Sequence, residues 1–304
     1  MSRPAAAFCA VLAAAALALG GCSRSADPAQ GESLPEPEAS SAPTGRAPGT
    51  VRVMSFNVGG FSADSPEGVA DTLAAAVADA DPDILILQGM GPGDALDVFH
   101  AALVRAGLQP YPRLAVLAAD RSPSNLAFLS RIPVSSDTPI LEDYYSIGPD
   151  RFAVQHGFLD LRFEPEGITP PFRILAADLK DKVFHASGQT EMRRNEARLL
   201  ANHVRAAFRA DPDARLLVCG SFNDTPDSAA VRVILDPALG LADLRPLDSF
   251  GRSWTSVSSN DSCERSDYLL ASPSLLPSTH AVLLDHPALP SATPHRPLLL
   301  TLIL

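Results

Sequence analysis

Positive charge is scarce in this 304-residue chain: 24 Lys and Arg stand against 35 Asp and Glu, for a formal net charge of −11. Affinity for a phosphate backbone comes mainly from Lys and Arg neutralising phosphates. Nucleic acid is therefore not expected as a partner, although a local basic groove is compatible with the total. Long apolar runs are also missing after residue 19, so no later segment is expected to span a bilayer, which takes about 20 such residues. Cysteine is rare, at four residues, and two of these fall in the N-terminal segment. What remains is ordinary: 46% hydrophobic and 19% charged residues, enough to bury a sizeable core.

The N-terminus carries the clearest local signal. Arg3 precedes an apolar run, Phe8 to Leu19, that ends in Leu19-Gly20-Gly21-Cys22. This resembles a bacterial lipobox, with residues 1–21 as signal peptide, cleavage before Cys22 and lipidation of its sulfur. The expected location is the cell envelope, with the folded part outside the cytoplasm and a membrane as partner through the lipid. Residues 22–50, rich in Ser, Ala, Pro, Gly and Glu without an apolar period, read as a linker. An exported compartment permits a disulfide between Cys219 and Cys263. Cys219 ends the apolar run from Arg215, and a buried free thiol is the preferred reading.

From residue 51 to 304 apolar periods alternate between two and 3.6. Strands are predicted over 51–56, 84–87, 114–117, 125–129, 157–163, 173–177, 215–219, 266–270 and 298–304, and helices over 67–80, 94–106 and 190–209. Thr190 is expected to cap the last of these, with Met192, Leu199, Leu200, Val204 and Phe208 inward. Pro226 is expected to open a short helix, with Asp224 and Asp227 as N-caps. The order suits an α/β fold of two mixed sheets packed face to face with helices outside.

Six motifs follow this order. They are Ser55-Phe-Asn57-Val, Asp83-Ile-Leu-Ile-Leu-Gln88, Asn125-Leu-Ala-Phe-Leu-Ser-Arg-Ile-Pro133, Gly220-Ser-Phe-Asn-Asp-Thr-Pro-Asp-Ser228, Ser266-Asp-Tyr-Leu-Leu270 and Thr293-Pro-His-Arg-Pro297. Together they resemble the endonuclease/exonuclease/phosphatase superfamily, from about residue 51 to the C-terminus. The resemblance implies a four-layer α/β/β/α sandwich, and a family chemistry of Mg²⁺-assisted phosphoester hydrolysis in which a hard cation is held by carboxylates.

Carried across residue by residue, the resemblance retains Asn57, Asn223, His295 and Asp267, the last two as a His–Asp dyad. Four positions depart from it. Gly89 stands where the metal-binding Glu is expected. Asp178 stands where a phosphate-contacting His is usual. Ser221 replaces the Asp of the GDFN block, and Pro294 the Asp of SDH. The metal, base and phosphate roles are all touched. The expectation is a degenerate member with impaired or lost hydrolysis, kept for its fold or a binding surface, and no cofactor is assigned. The alternative is a rewired Mg²⁺-dependent phosphodiesterase or nuclease whose cation site uses Asp178, Asp181, Asp224 and Asp227; three carboxylates converging near Asn223 would support it. Asp178 and Asp181 are otherwise expected to be solvated or paired with Lys180 and Lys182. Arg193, Arg194 and Arg198 are expected on a solvated helix face, and His156, His185 and His203 on the surface or satisfied in the core. Trp254 and Tyr268 are expected to pack beside the cleft. Asp285-His286 has the look of a dyad but precedes Pro287, and Arg296-Pro297 fits His295 better.

Overall fold

A computed structural model describes residues 49–119, 122–164 and 171–303. The expected signal peptide, the lipidation site Cys22 and nearly all of the linker lie outside the described residues.

Two six-stranded mixed sheets carry the fold. The first runs β15 (Thr279–Leu283), β16 (Leu298–Ile303), β1 (Thr50–Phe61), β2 (Ile84–Met90), β4 (Asn125–Ser130), β3 (Arg113–Leu117). The second runs β11 (Ala242–Asp243), β14 (Asp267–Ala271), β10 (Leu216–Ser221), β9 (Phe172–Asp178), β8 (Phe158–Phe163), β5 (Ser136–Ile140). Each sheet has one parallel pair at its centre, β1 with β2 and β9 with β10. A helix joins each pair, α1 (Val69–Ala78) in the first and α3 (Gln189–Ala210) in the second, as parallel strands require a crossover. α2 (Ala95–Arg105) lies beside α1, and α4 (Ala229–Ile234) beside α3. Two small hairpins, β6 (Tyr144–Ile147) with β7 (Asp150–Ala153) and β12 (Ser256–Val257) with β13 (Cys263–Glu264), complete the described residues.

Strand alternation divides the apolar residues into three cores, and three cores between layers make four layers. Met54, Phe56, Leu85 and Leu87 face α1 and α2. Val53, Ile84 and Ile86 meet Ile174, Ala176, Leu217 and Leu269 between the sheets. Leu175, Val218 and Leu270 face α3 and α4. Their opposite-face neighbours in sequence supply the other core, as a period of two dictates. The four-layer α/β sandwich is the arrangement the motifs implied.

Several local expectations are corrected. Thr190 lies inside α3, whose N-cap is Gly188 with no side-chain cap bond; the chain enters through a turn in which Gly188 N–H donates to the His185 carbonyl. The inward stripe of α3 holds Met192, Leu200 and Val204 but also Arg193 and Glu196, while Leu199 and Phe208 are only partly buried. Pro226 does not open a helix: α4 starts after Ser228, whose hydroxyl accepts from Val231 N–H at 3.2 Å. Asp224 and Asp227 are thus not its N-caps. β5 is not predicted from the sequence because Ser136-Asp-Thr-Pro-Ile140 lacks an apolar face; it is an edge strand, where proline is tolerated.

Candidate functional site

The inter-sheet faces of five strands turn polar at one end of the sandwich. The stripes read Val53-x-Ser55-x-Asn57, Ile84-x-Ile86-x-Gln88, Ile174-x-Ala176-x-Asp178, Leu217-x-Cys219-x-Ser221 and, in the antiparallel β14, Ala271-x-Leu269-x-Asp267. Asn57 pairs in register with Gln88, and Ser221 with both Asp178 and Asp267. The polar ends therefore lie level across each sheet, and all of them are buried.

One hydrogen-bonded chain crosses between the sheets. Asn57 Nδ2 donates to Ser221 Oγ at 2.9 Å, and Ser221 Oγ donates to Asp267 Oδ1. The other oxygen, Asp267 Oδ2, accepts from Thr255 Oγ1 at 2.7 Å and Ser266 Oγ at 3.0 Å, and is 2.9 Å from His295 Nδ1. Burial alone would raise the Asp267 carboxyl. The His295 charge and these donors outweigh it and hold the group below the usual carboxylate range. For His295, burial disfavours the charged form, but the Asp267 carboxylate outweighs it and raises the imidazole above its ordinary value. Thr293 anchors the turn that carries this imidazole: its hydroxyl donates to the Asn57 carbonyl at 3.0 Å and accepts from His295 N–H at 3.2 Å. Pro294 is exposed between them.

Beside this chain sits Asp178. It is buried, not solvated, and it does not pair with Lys180, which bonds Asp181 instead. Asn223, at φ +54°, donates through Nδ2 to Asp178 Oδ1 at 2.9 Å and to the Leu179 carbonyl. His156 Nδ1 donates to the Asp178 carbonyl at 2.8 Å and lies 3.8 Å from Oδ2. Desolvation pushes the Asp178 carboxyl up, against the pull of His156, Asn223 and His295. His156 is a satisfied core histidine as expected, though its neighbour was not. No sequence signal marked His156 or Thr255 as parts of this floor.

At two glycines beside the polar strand ends the backbone leaves no room for a side chain. Gly89 adopts φ +71°, and a Cβ there would stand 2.8 Å from Asn57 Oδ1 and 2.9 Å from the Gly60 nitrogen. Around it the β1–β2 register shifts between Asn57 and Phe61, and Asn57 Oδ1 accepts from Gly59 N–H at 2.9 Å. At Gly220 a Cβ would lie 1.9 Å from the Ala177 carbonyl oxygen, so glycine alone lets β10 approach β9 before Ser221.

The remaining carboxylates do not converge here. Asp224 is held by Arg193, at 2.9 Å to Nε and 2.8 Å to Nη2. That arginine is buried, unlike Arg194 and Arg198, so the expected solvated stripe loses its first member. Lys182 bonds Glu264, and Asp285 bonds Arg252 at 3.0 Å. Cys219 is buried and Cys263 partly so, neither in a disulfide. Among the described residues no group of three His, Cys, Asp or Glu side chains is placed to hold a metal ion. The residues present thus do not fit the Mg²⁺ that the resemblance implies, since Gly89 offers no oxygen where a glutamate is expected.

The family model for the endonuclease/exonuclease/phosphatase family matches residues 54–294, most of the chain. The chain belongs to this family. The match takes in the first five motifs and the start of the sixth, and stops one residue before His295. Among solved structures of the same fold, the human Nocturnin catalytic domain with bound sulfate is 17% identical, with a TM-score of 0.61 over 83% of this chain and 93% of that one. An endonuclease/exonuclease/phosphatase from Beutenbergia cavernae DSM 12333 is 18% identical, with a TM-score of 0.62 over 84% and 72%. TDP2 from Caenorhabditis elegans is 17% identical, with a TM-score of 0.60 over 84% and 75%. No curated protein sequence matches the chain. At identities this low the likeness shows the fold alone.

Proposed function

We propose that this member of the endonuclease/exonuclease/phosphatase family is a lipid-anchored protein of the bacterial cell envelope whose cleft serves binding in place of metal-dependent phosphoester hydrolysis. One observation carries the reading: Gly89, where the resemblance expects a glutamate, stands at φ +71°, and a Cβ there would lie 2.8 Å from Asn57 Oδ1. A side chain put back at this position would meet both a strained backbone and a steric overlap. Two further facts agree with it. Ser221 is committed to Asn57 and Asp267, and a neutral hydroxyl is a poor proton acceptor at ordinary pH. Asp178 sets a carboxyl where the family meets an anionic phosphate, an unfavourable pairing without an intervening cation.

The cleft floor still offers His295 on Asp267 and the carboxyl of Asp178 as polar anchors for a ligand. A rearranged hydrolase would also keep the intact His295–Asp267 pair, and a single assay separates the two readings. The full chain, purified in detergent, is incubated with bis(p-nitrophenyl) phosphate and Mg²⁺ or Mn²⁺, while calorimetry follows metal uptake. The expected result is no turnover above buffer and no stoichiometric uptake. Turnover that His295→Ala abolishes would overturn the proposal. For the anchor, Cys22→Ala is expected to move the protein from the membrane fraction to the soluble one.

A further inference from the structure

The loop between β9 and α3 ends in a bare apolar tip. Val183 is 67% exposed and Phe184 82% exposed, on consecutive residues. The base of this loop is rigid: buried Arg193 donates through Nη1 to the Lys180 and Asp181 carbonyls, both at 3.0 Å. The tip thus projects from a fixed stem. Phe250, also exposed, is stacked under the Arg252 guanidinium at 4.6 Å. Among the described residues Phe184 meets no such ring or cation.

The β6–β7 hairpin flanks the same tip. Phe152 of β7 meets the His185 ring edge-on at 5.7 Å, and Arg151 lies over the half-exposed Tyr144 ring at 4.2 Å. Bare aliphatic and phenyl groups on adjacent exposed residues match the chemistry of a bilayer interface, where apolar and aromatic side chains sit at the boundary of headgroup and acyl chain.

We propose that the Val183–Phe184 tip inserts into the surface of the membrane to which the chain is anchored, so that the end of the sandwich that carries Asp178 and His295 faces the bilayer. The inference rests on the anchor reading above. The loop that carries the tip leaves β9 directly after Asp178, at the polar end of the sandwich. β1 begins at the opposite end of the sandwich, about seven residues before Asn57, or roughly 23 Å at strand rise. The segment from Cys22 to Gly49, of about 27 residues, can span at most about 90 Å. That length suffices to bring either end of the sandwich to the bilayer, and the end with Asp178 carries this tip. With a net charge of −11, and with Lys182 already bonded to Glu264, the contact is apolar and not an attraction to anionic lipid.

The test reconstitutes the full lipidated chain carrying Phe184→Trp in phosphatidylcholine vesicles, read against the native Trp254 background. Bromines on the lipid acyl chains are expected to quench the introduced indole, with a blue-shifted emission and at least a fivefold loss of quenching by aqueous iodide. The result should not change when a third of the lipid is phosphatidylserine or the salt is raised tenfold. Adding Val183→Ser should halve the bromine quenching or more, while leaving the far-ultraviolet spectrum unchanged. If the protein floats with the vesicles and the indole at position 184 stays open to iodide, this proposal falls and the anchor reading stands. If the protein does not float at all, both fall. A blue shift that appears without vesicles and vanishes on dilution assigns the tip to a second copy of the chain, and overturns the proposal.

Discussion

Gly89 and Asn57 stand so close that a methyl-sized group on the glycine would lie 2.8 Å from the asparagine's Oδ1. Asn57 in turn fixes Ser221 across the inter-sheet space at 2.9 Å. The glycine, the asparagine and the serine form one packed unit, and a change in any one is transmitted to Asp267 and His295.

Gly89→Glu is therefore expected not to restore a metal site. A left-handed backbone and a steric overlap each cost on the order of 1–3 kcal/mol, so the variant should lose about 3 kcal/mol in urea unfolding and bind no Mg²⁺ in calorimetry. Unchanged stability together with stoichiometric Mg²⁺ uptake contradicts this.

Glu196 gives the protein an acid-side stability term. Burial on α3 raises its carboxyl to about 7, against hydrogen bonds from the Gln155 and Lys180 amides. The folded state keeps a proton that the unfolded chain releases near 4.5. This contribution is thus most favourable below pH 4.5, falls as pH rises towards 7, and is flat beyond. The change amounts to about 3 kcal/mol. Denaturant unfolding between pH 5 and 8 should show the decline, and Glu196→Gln should flatten it. Parallel curves for both proteins count against the assignment.

The His295–Asp267 pair has the complementary signature. His295 has a raised folded value, so its stabilisation is complete below 6.5 and fades as pH climbs through that raised value; the depressed Asp267 contributes above 3.8 and is lost on acidification. Asp267→Asn should bring the imidazole titration of His295, followed by NMR, down below 6.5. An unmoved titration means that the Asp267 contact does not set the charge of this ring.

Cys219 lies in the inter-sheet core, fully buried, and desolvation drives its thiol up to about 12. An alkylating reagent should modify Cys263 in the native protein and reach Cys219 only at the rate of unfolding. Peptide mapping by mass spectrometry distinguishes the two, and early Cys219 labelling would place an opening motion between the sheets.

Asn57, Asn223, Asp267 and His295 were legible because each sits in a motif a few residues long, and the level strand ends bring them into one region. Asp178 was legible as a departure and misread as solvated. Its burial comes from His156 and Asn223, which are 22 and 45 residues away in sequence. Arg193 was misread for the same reason, since its partner Asp224 lies 31 residues on.

Alternating apolar residues by themselves determined which face each strand and helix presents, because a period of two or 3.6 decides this before any partner is known. The motifs, read as a resemblance, added the four layers and the positions expected to be replaced. Only the tertiary structure decided what those replacements mean. The left-handed turn at Gly89, the Asn57–Ser221–Asp267 chain and the burial of Asp178 each depend on segments brought together from far along the chain, and desolvation and steric exclusion are properties of that assembly, not of any one segment.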